Sequence, residues 1–279
     1  MDKQTHHSPA IVLDNAAISR GGHTIWSHGN FSIPTASVTA IVGTNGAGKT
    51  SLLKAELGLL ASSSGSIEVL GQPAGKAKAK IGYVPQSYSN QDDVNLTVEQ
   101  SVLLGINGNR FGIHPTRVSE RGQARRAMSL TGIEDRAAAR LGELSGGLRQ
   151  RAAIAQALAS DPELLILDEP LANLDLASQR ECVQVLSNLN HELGMTIQIV
   201  AHDLNVLLPI LTGAVYILDG RPHYANIHDV MNSDLLTQLY GTPVEVVTTP
   251  QGNMFISPHA GGSKPKEQNL HTRSRNCQQ

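Results

Sequence analysis

Three observations in the sequence predict an α/β fold with a mostly parallel core sheet, an antiparallel β portion and an inserted helical subdomain. First, the apolar run Val38-Thr39-Ala40-Ile41-Val42 leads into Gly43-Thr44-Asn45-Gly46-Ala47-Gly48-Lys49-Thr50, and residues 51–60 then carry a helical pattern. A strand, a glycine loop ending in Lys-Thr and a helix, in that order, make a phosphate-binding P-loop. Second, short apolar runs at 164–167, 196–200 and 215–218 alternate with helical stretches, as parallel strands joined by crossover helices do. Third, residues 97–141 change to helices broken by Asn107-Gly108-Asn109 and by Gly112 to Pro115, which reads as an insertion in the sheet. Together they predict a P-loop nucleoside triphosphatase.

The remaining elements follow in chain order. Residues 11–19 and 37–42 read as strands joined through the Gly21-Gly22 turn and the region 30–34. A short strand at 67–70 is closed by Gly71, and residues 80–84 lead into Pro85-Gln86. After Asp219-Gly220 a polar segment precedes residues 230–240, whose apolar positions fit one amphipathic helix. Residues 244–248 and 253–256 pair as a terminal hairpin. The end of the chain is rich in Gly, Ser, Lys, Asn and Gln and reads as disordered. The expected division is one ATPase domain over residues 8–257, with the helical insertion at about 87–160, and a disordered tail over residues 258–279.

Composition limits the partners. A chain of 279 residues with a net charge of −2 carries no strong field for nucleic acid or an anionic membrane. Residues 110–151 hold nine Arg against four acidic residues, a bias that suits a solvated helical surface or a polar contact face. Aromatic residues make up only 3% of the chain, too few for stacking platforms on single-stranded nucleic acid. Cys182 and Cys277 form no metal or disulfide pattern. No stretch reaches 18 apolar residues and the first residues lack a signal-peptide core, so the chain is expected to be soluble, reaching a membrane only through another protein. The eleven His residues show no convincing zinc-ligand spacing.

Gly43, Gly46 and Gly48 leave the loop backbone free to aim its N–H groups at phosphate oxygens, backed by the positive end of the following helix. Lys49 can extend to the β- and γ-phosphates and the Thr50 hydroxyl can reach Mg²⁺. Thr44, Asn45, Ala47 and Ser51 complete the expected nucleotide-binding set. The run Leu164-Leu165-Ile166-Leu167-Asp168-Glu169 is a buried strand ending in two acids. Asp168 is the candidate Mg²⁺ ligand and Glu169 the candidate base that polarises an attacking water.

Ser145-Gly146-Gly147 offers a second anion-binding turn, with Ser145 as cap of the helix running to Ala159. Taken alone it is also an ordinary N-cap followed by two glycines. Because the chain already has one phosphate loop, a second suggests service to the nucleotide of a partner molecule. Gln86 is a candidate Mg²⁺ ligand and sensor of nucleotide state. His202, after the strand at 197–200, is a candidate contact to the γ-phosphate or a strand-end hydrogen bond. Asp175 suits a contact to a facing protomer or a helix cap.

Together these segments resemble the ATP-binding cassette family, specifically the ATPase subunit of an ABC transporter. Residues 43–50 match its Walker A loop, 164–169 its Walker B strand, and Leu144-Ser145-Gly146-Gly147 its signature, with Leu148 where Gln is usual. Gln86, Leu174-Asp175 and His202 stand at the Q-loop, D-loop and switch-histidine positions. The resemblance covers residues 11–240. It implies a head-to-tail dimer in which residues 43–50 of one copy and Ser145 to Gly147 of the other enclose ATP and Mg²⁺, with Glu169, His202 and Lys49 catalytic. It also implies a second ATPase subunit, membrane-spanning permease subunits against the helical insertion and, indirectly, an extracytoplasmic substrate-binding protein. The location it implies is the cytoplasmic face of the cell membrane.

The family stacks an aromatic residue on adenine, and here Arg20 falls at that position, where its planar guanidinium can stack. Residues 96–98, 200–205 and 239–247 are similar to the ATPases of zinc, manganese or iron importers, with iron-chelate importers as the alternative cargo class. A soluble ABC ATPase acting on ribosomes or DNA is the different-class alternative. One phosphate loop and a short, broken insertion speak against it.

Overall fold

The computed structural model describes residues 8–86, 95–108 and 116–258. β1 (Ile11–Arg20) and β2 (His23–Ile33) form an antiparallel hairpin closed by Gly21 and Gly22. Both glycines have positive φ, 59° and 80°, as a two-residue turn between right-twisted strands requires. β3 (Val38–Val42) runs into the glycine loop and α1 (Lys49–Glu56). β4 (Ser64–Val69) and β5 (Gln72–Pro73) complete an antiparallel sheet in the order β2-β1-β4-β5. β6 (Ile81–Val84) ends just before Pro85 and Gln86, followed by α2 (Val98–Asn107), α3 (Val118–Leu130) and α4 (Gly146–Leu158).

The chain then returns to the core through β7 (Leu164–Asp168), α5 (Leu176–Leu193), β8 (Thr196–Val200), β9 (Gly213–Leu218) and β10 (Arg221–Asn226). The short α6 (Ile227–Val230), α7 (Ser233–Tyr240) and the hairpin of β11 (Val244–Thr248) and β12 (Met254–Pro258) follow. Among the described residues no helix is long and apolar enough to cross a membrane.

The second sheet is six-stranded, in the order β10-β9-β3-β8-β7-β6, parallel from β9 to β6 with β10 antiparallel at its edge. Every residue of β3, β7 and β8 is buried, because helices cover one face and the antiparallel sheet with α1 covers the other. Alternate residues divide between two cores. Ala40, Leu165 and Leu167 join the core on the helical side, while Ile41, Leu164 and Ile166 pack with Leu52 and Leu53 of α1 and with Trp26 of β2. The parallel register sets the carboxyl ends of β3, β8, β7 and β6 along one edge. Such an edge is where open α/β sheets bind ligands.

Four expectations need correction. Residues 23–33, read as connecting chain, form β2. Its His, Gly and Asn residues disguise an outer strand that buries only Trp26, Gly29 and Ile33 at high coverage. The polar segment after Asp219-Gly220 is β10, an edge strand that tolerates Pro222. The helix expected over 230–240 begins only at Ser233, as α7, because the Asn232 side chain caps it, its Oδ1 accepting from the N–H groups of Asp234 and Leu235 at 2.9 and 3.1 Å, while Val230 ends the short α6. Pro258, where the tail was expected to begin, closes β12. The rest of that tail, and the break at 112–115, lie outside the described residues.

Candidate functional site

The glycine loop binds its own lysine. Lys49 is 7% exposed, and its Nζ donates to the carbonyls of Gly43 and Thr44 at 2.7 and 3.0 Å. Burial lowers its pKa, while the Glu169 and Asp168 carboxylates push it back up. α1 starts at Gly48, whose φ is 103°, with no side-chain cap and no acidic residue in its first turn. A Cβ on Gly48 would lie 2.7 Å from Ile25 Cγ2 and 3.0 Å from Trp26 Cδ1, so β2 supports the loop from behind. First-turn N–H groups have no intrahelical partner, and here they stand beside a buried ammonium. That donor set fits an anionic triphosphate.

Asp168 ends β7 at 9% exposure, and its pKa is raised first by burial and then by the neighbouring Glu169 carboxylate. Glu169 has φ 52°, a left-handed conformation uncommon for a non-glycine residue and concentrated at functional sites. Its backbone is held by an N–H donated to Val200 O at 3.1 Å. One carboxylate oxygen accepts from Gln86 Nε2 at 2.8 Å and the other meets His202 Nε2 at 2.7 Å. Gln86 follows β6, Glu169 follows β7 and His202 follows β8, so the row repeats the strand order. Two adjacent acids, one of them buried, form a donor set that suits a divalent cation.

A cavity of about 170 Å³ is lined by Gly43, Thr44, Asn45, Ala201 and His202 together with Leu236, Leu239 and Tyr240 of α7. The sheet edge thus gathers the loop residues, Asp168, Glu169, Gln86 and His202. Ser145, Gly146 and Gly147 line no described cavity with the loop. Ser145 Oγ caps α4, accepting from Leu148 N–H at 3.4 Å. A Cβ on Gly147 would sit 2.5 Å from Ser178 Oγ, so this turn packs on the start of α5. Asp175 caps α5, accepting from Ser178 N–H at 2.8 Å. Arg20 is exposed at the end of β1, and the β2 side chain beside the loop is Ile25, which shares a cavity with Thr44, Gly46 and Ala47.

Sequence reasoning missed Ile25, whose strand it did not recognise. It also gave no role to Tyr240 or Asn205, although both fall in segments that carried the family resemblance.

The sheet topology and the loop define a P-loop nucleoside triphosphatase. Residues 27–172 match the ABC transporter family model, and the chain belongs to that family as an ATP-binding cassette ATPase. It is 32% identical over 238 residues to a metal transport system ATP-binding protein of Chlamydia muridarum, covering 85% of this chain and 92% of the relative. It is 33% identical over 250 residues to a zinc transport system ATP-binding protein of Treponema pallidum, covering 88% and 91%. A solved structure of a metal-chelate type ABC transporter in an inward-facing conformation superposes with a TM-score of 0.77 at 26% identity, covering 89% of this chain and 96% of the other.

Proposed function

We propose that the chain hydrolyses ATP at a site shared by two copies and so energises a membrane importer of metal ions such as zinc or manganese. The observation that carries this reading is the row Gln86, Glu169 and His202, hydrogen-bonded through the Glu169 carboxylate at 2.8 and 2.7 Å beside the phosphate loop. In the proposed reaction a water oxygen bonds to the γ-phosphorus and the bond to the β-phosphate oxygen breaks, releasing ADP and inorganic phosphate. Glu169 takes the water's proton, His202 orients the attack, and Lys49 neutralises charge on the β- and γ-oxygens. Residues 43–51 wrap the phosphates and Arg20 stacks on the base. Thr50, Gln86 and Asp168 would hold Mg²⁺, which screens the phosphate charge when bound.

Ser145, Gly146 and Gly147 act on the nucleotide of the second copy, consistent with their not lining the two cavities beside the loop of their own chain. The helices of the insertion meet permease subunits at the cytoplasmic face of the membrane, and an extracytoplasmic protein delivers the cargo. A metal chelate is the second cargo class, favoured by the metal-chelate type transporter that shares the fold. Purifying the native membrane complex tests the proposal. A co-purifying permease and ATP hydrolysis stimulated by a binding protein loaded with zinc or manganese are expected. Recovery with ribosomes or nucleic acid and no permease would sink it.

A further inference from the structure

The segment that carries His202 is held from its far side. Asp203 Oδ1 accepts from Asn205 N–H at 2.8 Å, closing a tight turn. Asn205 then reaches β12, where its Nδ2 donates to Ile256 O at 3.0 Å and its Oδ1 accepts from Ile256 N–H at 2.8 Å. Both polar groups of Ile256 therefore face away from β11, and one amide side chain reads them as a neighbouring strand would. Leu204, between these two residues in the chain, is fully buried.

The unit that grips this segment also touches the phosphate loop. α7 walls the cavity shared by Thr44, Asn45 and His202, and a Cβ on Gly241 would come within 3.9 Å of Thr44 Cγ2. α7 and β11 are tied by Val244 N–H to Thr237 Oγ1 at 3.1 Å and Val246 N–H to Ser233 Oγ at 3.0 Å. One hydrogen-bonded unit, α7 to β12, thus meets the loop that binds phosphate and the loop that presents the imidazole.

We propose that Asn205 is a positioning residue for ATP hydrolysis, which through its two-point bond to Ile256 lets the C-terminal unit fix His202 relative to the phosphate loop. This rests on the reading that His202 faces the γ-phosphate. The positioning acts on the chemical step, because the loop that grips the phosphates is built from β3 and α1 and keeps its own bonds when Asn205 is changed.

The test is steady-state MgATP hydrolysis by the full-length chain. Asn205→Ala is expected to lower kcat about tenfold, since small misplacements of a reacting group cost one to two orders of magnitude, with KM for ATP within about twofold. Ile256→Pro deletes the N–H from the other side without removing a ladder bond of the hairpin, because that N–H faces Asn205 and not β11. It should give the same loss, and the double variant should lose no more than either single one. An Asn205→Ala enzyme with unchanged kcat, a fall in kcat matched by KM and melting temperature, or additive losses would each overturn the proposal. His202→Ala separates the two readings. Full activity in that variant removes the role of His202 itself, whereas loss there with a normal Asn205→Ala removes only the positioning by Asn205.

Discussion

Glu169 accepts from Gln86 and meets His202 through separate carboxylate oxygens, so Glu169→Gln keeps its shape while removing the proton acceptor. We expect hydrolysis to fall about 10²- to 10³-fold with ATP affinity, read by titration calorimetry, nearly unchanged. Glu56 poses a different question. It is fully buried at the end of α1, its Oε1 accepting from Gln198 Nε2 at 3.2 Å, and burial pushes its carboxyl from 4.5 up to about 8 against the opposing pull of that hydrogen bond. Glu56 Oε2 and Gln198 Oε1 have no partner among the described residues, and a proton on the acid gives the pair a further donor. Between those pH values the folded chain holds a proton that the unfolded chain has released. Stability therefore declines as pH rises, by about 1.4 kcal/mol per unit for one such group, and the decline ends above the folded value. Glu56→Gln should melt well above the wild type at pH 8 and close to it at pH 5. A constant difference across that range would exclude this account.

At the scale of the element, α7 depends on its cap. Asn232→Ala leaves two N–H groups without their side-chain acceptor and should cost about 1 kcal/mol in urea denaturation. Gly48→Ala should be worse for function than for folding. The added methyl meets Ile25 and Trp26 at a φ of 103°, so fluorescent-nucleotide binding should drop at least about tenfold, a loss of roughly 1.4 kcal/mol or more. The central strands were legible in the sequence: β3, β7 and β8 are short, mostly apolar runs, broken only by Thr39, Asp168, Thr196 and Gln198. β2 and β10 were not, because strands at sheet edges keep polar faces. The start of α7 was not legible either, because Val230 fits its apolar period and only the cap geometry of Asn232 makes Ser233 its first residue.

At the scale of the whole molecule, the row Lys49, His202, Glu169 and Gln86 was legible as separate motifs, each lying beyond the carboxyl end of a strand. What no motif contains is the order β3-β8-β7-β6 that makes neighbours of residues from Lys49 to His202. Asn205 stayed hidden for the same reason, since its partner is a backbone 51 residues away. The proposed shared site gives a test at this scale. A Lys49→Ala chain and a Ser145→Arg chain, each inactive alone, should regain hydrolysis on mixing, because the mixed pair keeps one intact loop facing one intact turn. Failure to regain any activity, with dimers demonstrably formed, would argue against that arrangement.

The strand that bears the phosphate loop also has a place in time. β3 is bordered on one side by β8 and on the other by β9, both made long after it. During synthesis Val38 to Val42 must wait through most of the chain, on the order of ten seconds or more at ribosomal speeds, before either edge finds its partner. A nascent chain halted short of residue 196 would carry the complete glycine loop yet leave the strand beneath it unpaired. Such a chain is a natural client for chaperones, and nucleotide binding in arrested chains of increasing length should switch on only once β9 has emerged.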